Sequence, residues 1–483
     1  MLIKDELINE NELFIFGMLL IHTESESKVP DFINRDWDKY SLSDYNLYIH
    51  KSERLQRLSF YDTQVYILGD VYSTNDYGSV ESIVESFLKT KNWELLEDLS
   101  GRFNIIIDSL EPIVLHDSMG TKTLYYSTLD GNSIVTNHAT LIGLVKKQKI
   151  SPEIKLYKQS DAYNIRGTRF LPGDITMFED VYGMVPNNYF DIKKSKTYRY
   201  YYYNDIKDTT LDEFKHYVYL YYQRQSEYFK QQQYLPILSL TGGFDSRLAI
   251  AAFKHFNVNF ELMTWSRGVS AEESALIEHL AKYLKKNHTL IDTKAEVQDN
   301  SIKNLATFSN YNTSFSRGSS RLTALLKEAL PNENYVFIRG LGGEILRGMF
   351  NKSNSRLKSA ENMSDIEYVT QVYNTNLIKK VEVSDEYLEL TDKYQKGFFE
   401  RANIDAKIKG DIGDLAYWEQ RMGRWAAELH NEGDVAMKNF TSLNSRKLYK
   451  LAYGLSDSER FSGNLMIELI SLFDKDLSEI PYV

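Results

Sequence analysis

The stretch LSLTGGFDSRLAIAAF, residues 238–253, lies near the midpoint of a 483-residue chain. An apolar run ends at Ser239-Leu240-Thr241, two adjacent glycines follow (Gly242 and Gly243), and Phe244-Asp245-Ser246-Arg247 leads into a helix-like segment. PILSL reads as a strand and SRLAIAAFKHF as the next helix. The loop between them then presents backbone N–H groups beside a helix N-terminus, where unsatisfied amides and the helix dipole both favour an anion. Glycines let the main chain come close to a ligand, because no Cβ stands in the way. Ser239, Thr241 and Ser246 add hydroxyl donors. Bare phosphate would be repelled by Asp245, so that acid calls for a bridging Mg²⁺. No Gly-Lys-Ser/Thr closes the motif, and it is not a Walker A loop.

The surroundings divide in texture. Up to about residue 200 the apolar segments are short, rich in Ile, Val, Tyr and Phe, and separated by polar turns: LFIFGMLLI, QVYILGDVY, RFNIIIDS, PIVLHDS, KTLYYST and SIVTNHA. They predict a mainly β unit. One helix is expected at SVESIVESFLKT, where Val80, Ile83, Val84 and Phe87 share a face. After about residue 205 long helical patterns alternate with the short apolar runs YLPILSL, NFELMTW and NYVFIRG. That alternation predicts a parallel sheet with helices on both faces, whose ligands bind at the carboxyl ends of the strands. The expected fold is therefore α/β: a mainly β unit over residues 1–200 and a parallel-sheet unit over 205–483.

Bulk properties narrow the chemistry. The hydrophobic share of 42% and charged share of 26% fit a folded chain. A net charge of −10 argues against nucleic acid and acidic lipid as partners. With no cysteine there is no disulfide, thiolate metal site or thiol nucleophile. The nine histidines lack the spaced pairs of a zinc site. The apolar run Leu13–Ile21 is about half a bilayer span and follows acids that do not suit a secretory leader, so it reads as a buried strand in a cytoplasmic protein.

The glycine loop resembles the Ser-Gly-Gly-x-Asp-Ser pyrophosphate loop of the N-type ATP pyrophosphatases, which split ATP between its α and β phosphates. Two further segments resemble the asparagine synthetase family. FELMTWSRGVSAEESALIEHLAKYLKKNHTLID (260–292) matches its second strand–loop–helix, with Glu272 and Glu273 opening the helix. YVFIRGLGGEILRGMF (335–350) lies on its second signature: Gly340, Gly342 and Gly348 coincide with family glycines, and Glu344 takes the place of a metal-binding Asp. The first half, through Gly101, Phe103, Asp117, Gly120, Leu124 and Tyr125, resembles the Ntn-type glutaminase domain of that family. The resemblance implies bound ATP and Mg²⁺, with Asp245 and Glu344 as metal ligands. It implies a nucleotide site at Leu238, Ser239, Thr241, Gly242, Gly243, Asp245, Ser246, Met263, Thr264 and Gly340.

The departures matter as much. Glutaminases of this class use an N-terminal Cys, so the first unit is expected to be catalytically silent, as in β-lactam synthetases and lasso-peptide cyclases. Leu341 stands where asparagine synthetase and β-lactam synthetase carry a Glu or Tyr for acyl transfer. The segment YWEQRMGRWAAELHNEGD (417–434) resembles an active-site helix, with Glu419 or Arg421 facing substrate and Arg421, Arg424 and Trp425 on one face. The family's transition-state Lys loop has no counterpart through Val483: either the chain is a shortened form or another cation serves, with Arg247 and then Arg347 as the candidates. The expected activity is ATP-dependent, AMP-forming ligation of a carboxylate to an amine, the substrates being small molecules or a peptide. Ammonia-dependent amidation and a non-catalytic ATP-binding partner are the alternatives. A protein partner or homodimer stays open.

Overall fold

Strand alternation builds the first half. Met18 and Leu20 face one way and Leu19 and Ile21 the other along the strand Met18–His22, as the period of two requires. The inward pair packs with Leu68, Ile106 and Val114 of a second sheet, while the outward pair is covered by the helix Ala139–Val145. Two six-stranded antiparallel sheets thus stack face to face. The long strands Thr63–Ser73 and Leu99–Asp108 form the centre of the second sheet, and the expected helix Val80–Thr90 buries Ile83, Val84 and Phe87 on its outer face. The computed structural model describes residues 13–75, 78–166, 169–201, 206–266, 269–302, 304–314, 321–354, 360–374, 383–404 and 410–482. One expectation is corrected: the run Leu13–Ile21 is not a single strand. Its strand begins at Met18, and Leu13–Phe16 makes a buried turn that closes on Gly17, where a Cβ would stand 2.4 Å from the Phe14 carbonyl oxygen.

The second half opens with the helix Leu211–Gln231, capped reciprocally by Thr210 and Glu213. Five parallel strands follow. Their spatial order is His288–Ile291, Glu261–Trp265, Leu235–Ser239, Tyr335–Arg339 and Lys438–Thr441. Numbered along the chain this is 3-2-1-4-5, so the winding reverses between Leu235–Ser239 and Tyr335–Arg339. In open α/β sheets that reversal leaves a crevice at the carboxyl ends of the two strands, and ligands bind there. The glycine loop follows the first of these strands and the Gly-x-Gly signature follows the second.

Buried polar contacts join the halves. Arg102 forms a two-pronged ion pair with Asp434 at 2.6 and 2.7 Å, and Asn444 donates to the Gly101 carbonyl at 2.7 Å. His138, wholly buried, faces the Asn312 carbonyl at 3.3 Å, and burial pushes its pKa down to about 3. Because the folded value lies below the unfolded value of 6.5, the stability tied to neutral His138 is present above pH 6.5. It is lost as pH falls towards 3, at about 1.4 kcal/mol per pH unit. Melting temperatures followed from pH 7 to 4 are expected to fall more steeply for the parent than for His138→Asn; parallel curves would remove His138 from the account. Among the described residues no helix is long and apolar enough to cross a membrane.

Candidate active site

The strand Leu235–Ser239 is covered on both faces: Leu238 and Leu240 join one apolar cluster and Ile237 the other. The helix Phe244–His255 begins with Gly243 as its N-cap, at φ −86° and ψ 174°. Those angles suit any residue, and a Cβ on Gly243 would meet only the Thr241 hydroxyl, at 3.6 Å. The protein's own packing therefore does not require this glycine. What it provides is open space in front of a helix N-terminus. Thr241 Oγ1 lies 2.8 Å from Ser246 Oγ and accepts from the Gly243 amide at 3.3 Å. The Gly242 amide donates to the carboxylate of Glu273 at 3.2 Å, so the loop already engages an anionic group.

The second signature packs against this loop. A Cβ on Gly340 would stand 2.7 Å from the Ser246 backbone nitrogen, and one on Gly343 would stand 2.1 Å from Asp245 Oδ1. Gly342 has φ +104°, a left-handed conformation that glycine alone adopts readily. The turn brings Glu344 beside Asp245. Asp245 accepts from the Gly343 amide at 2.9 Å and from Arg347 Nη2 at 3.4 Å. Burial and, after it, the neighbouring Glu344 carboxylate hold the Asp245 carboxyl well above the usual carboxylate range. Glu344 Oε2 is buried without a hydrogen-bond partner. Asp245, buried, and Glu344, partly buried with one unsatisfied oxygen, set two carboxylates side by side, a pair of hard oxygen donors that fits a divalent cation such as Mg²⁺.

Around this pair the sequence-selected residues fall into groups. Asp245, Glu344, Thr241, Gly242, Gly243, Ser246 and Gly340 come together at the switch point. Ser239 ends the adjoining strand. Leu238 and Met263 are buried in the apolar core, so only their backbone atoms are available to a ligand. The hydroxyl of Thr264 is engaged by the Leu240 carbonyl at 2.7 Å and by His288 Nε2 at 2.9 Å. Glu272 is exposed, while Glu273 reaches the loop.

Three expectations are corrected. Arg247 is 1% exposed, and its guanidinium donates to the carbonyls of Ile480, Pro481 and Gly242, so it does not reach the open side of the loop. Glu419 is 0% exposed and clasped by Arg199 at 2.7 and 2.8 Å and by Asn187 at 2.9 Å; it is a buried ion-pair partner and faces no cleft. Tyr417–Ala426 is a π-helix, whose wider i→i+5 turn changes which side chains align. Arg421 stacks over Trp425 at 3.7 Å, whereas Arg424 turns away to the Ile175 carbonyl at 3.1 Å.

The π-helix also brings Tyr417 into the site, which sequence reasoning missed. Burial, then the charge of Glu344, raises its hydroxyl far above the ordinary range, while Arg421 opposes that shift. Tyr417 thus stands near the carboxylate pair, with Arg421 beside Tyr417. Gly343 was missed too, although its place before Glu344 in a glycine-rich turn was a usable signal.

No protein-family model matches the sequence, and no curated protein does. Among solved structures the chain is similar to an NMN synthetase from Francisella tularensis, at 14% identity over 44% of this chain and 94% of that one, with a TM-score of 0.20. It is similar to a glutamine-dependent NAD⁺ synthetase from Acinetobacter baumannii in complex with ADP, at 10% identity over 56% and 69%, TM-score 0.20. A third is the glutamine phosphoribosylpyrophosphate amidotransferase from B. subtilis complexed with ADP and GMP, at 10% identity over 79% and 88%, TM-score 0.23. These are loose likenesses, and the reading of the site rests on the residues above.

Proposed function

We propose that the protein is an ATP-dependent ligase that adenylates a carboxylate, releases pyrophosphate and passes the acyl group to an amine. The observation that carries this is the Asp245–Glu344 carboxylate pair, set at the switch point under a loop of amides and hydroxyls. Gly242, Gly243, Thr241 and Ser246 bind the phosphates, and the space before Gly243 lets them approach the helix N-terminus. Asp245 and Glu344 would hold Mg²⁺, which when bound would neutralise charge on the departing pyrophosphate. Arg347, which donates to Asp245, adds a positive charge beside the carboxylates. Arg421, stacked on Trp425 and adjacent to Tyr417, orients the acyl substrate. In the first step a carboxylate oxygen attacks the α-phosphorus and pyrophosphate leaves. In the second the amine attacks the acyl carbon, AMP leaves, and the nitrogen gives up its proton.

The test is to incubate the protein with ATP, Mg²⁺ and a panel of small and peptidic carboxylic acids, and to assay both nucleotide products. AMP and pyrophosphate, formed only when the correct acid is present, are expected. Formation of ADP with inorganic phosphate would overturn the reading.

A further inference from the structure

We propose that the segment Ile480–Tyr482 braces the phosphate loop, holding the Arg247 cation beneath it without neutralising that charge, and that Tyr482 is a positioning residue of the site. This rests on the nucleotide reading above.

Arg247 is buried one helical turn into the helix that follows the loop. A buried guanidinium ordinarily pairs with a carboxylate. Among the described residues none pairs with this one. Its acceptors are the backbone carbonyls of Ile480 at 2.6 Å, Pro481 at 2.9 Å and Gly242 at 3.3 Å. The remaining contact is the face of Tyr482, 3.9 Å from the guanidinium carbon. Carbonyl dipoles and a ring face surround the cation, its buried Nε staying without a hydrogen-bond partner, and leave its net charge in place. That charge sits behind Gly242, where it favours an anion in the loop.

The brace also reaches the carboxylate pair. Tyr482 stacks on Phe244 with ring centroids 4.3 Å apart and planes at 27°. Arg347 lies over the Phe244 ring at 5.5 Å and donates to Asp245. Tyr482, Phe244, Arg347 and Asp245 therefore form one connected column from the segment to the proposed metal ligands. The segment is itself anchored by the helix Lys475–Glu479, whose Leu477 is fully buried, and by Asp474, which accepts from Lys254 at 2.6 Å on the loop's own helix. The Tyr482 hydroxyl donates to the Ser478 carbonyl at 3.2 Å and its oxygen also faces the Arg247 guanidinium, so the ring face and the hydroxyl both meet the cation.

The experiment compares the parent with Tyr482→Ala and Tyr482→Phe by amide hydrogen exchange and by ATP·Mg²⁺ titration. Tyr482→Ala is expected to speed exchange at residues 241–247 while leaving the strand Lys438–Thr441 protected. It should also raise the Kd for ATP·Mg²⁺ about tenfold, the scale of one desolvated cation–π contact. Tyr482→Phe, which keeps the ring, should hold both readouts closer to the parent than Tyr482→Ala does. If Tyr482→Ala loses protection throughout, Tyr482→Leu takes its place, covering the site without a ring face. Parent-like exchange at 241–247, or a parent-like Kd, overturns the brace. A parent that binds no ATP·Mg²⁺ overturns the nucleotide reading instead, and the exchange comparison still decides whether the segment braces the loop.

Discussion

Asp245→Asn is expected to melt higher than the parent in the absence of ligand and to release no pyrophosphate. Burial of the Asp245 carboxyl, and after it the neighbouring Glu344 charge, disfavour its ionised form, and the raised Asp245 carboxyl is the sign of that cost. Asparagine keeps the oxygen that accepts from Gly343 and replaces a charge with an amide that can donate to Glu344. The contact with Arg347, at 3.4 Å and partly exposed on the arginine side, is a small loss by comparison. A gain of roughly 1 kcal/mol is in line with relieving a site whose geometry serves function. Mg²⁺ should raise the melting temperature of the parent and leave that of the variant unchanged. An ordinary surface or capping acid would show the reverse, destabilisation on substitution with no response to Mg²⁺. That reverse pattern, or normal ATP cleavage by the variant, would remove Asp245 from the metal site.

The core of this site was legible in the sequence because its signals are local. A strand, two glycines and an amphipathic run fix the loop, and Gly340 to Glu344 fix the opposing turn within a few residues. The spatial meeting of Asp245 and Glu344 then follows from the winding of a parallel sheet. The misreadings concern residues whose partners are distant in the chain. Nothing near Arg247 announces that the Ile480 and Pro481 carbonyls will accept its hydrogen bonds, and nothing near Glu419 announces Arg199. Leu238 and Met263 could have been read better: a central strand apolar on both faces sends its side chains into the core and leaves only backbone to a ligand. The π-helix was not legible, because 417–426 also fits a helix of ordinary period, and Arg424 was accordingly assigned to the wrong side.

Gly243→Ala is expected to fold almost normally and to lose nucleotide cleavage, whereas Gly340→Ala is expected to lose both. The two glycines look alike in sequence and differ in what surrounds them. At Gly340 a methyl group would stand 2.7 Å from the Ser246 nitrogen and 2.8 Å from its Cα, so the backbone of one segment must move away from the other. Such overpacking costs about 1–3 kcal/mol. At Gly243 the backbone angles already suit alanine, and the nearest atom to a new methyl is the Thr241 hydroxyl at 3.6 Å. The stability cost there should stay within about 1 kcal/mol, the scale of a less favourable N-cap. The same methyl, however, would fill the space in front of the loop amides, where a phosphate has to lie within hydrogen-bond reach. Losing contact with preorganised donors of this kind slows an enzyme by about a hundredfold or more. Denaturant melts paired with pyrophosphate assays at saturating acid and Mg²⁺ separate the two effects. If Gly243→Ala cleaves ATP at the parent rate, the adjacent glycines are only a turn, and the anion must bind elsewhere along the carboxyl ends of the sheet.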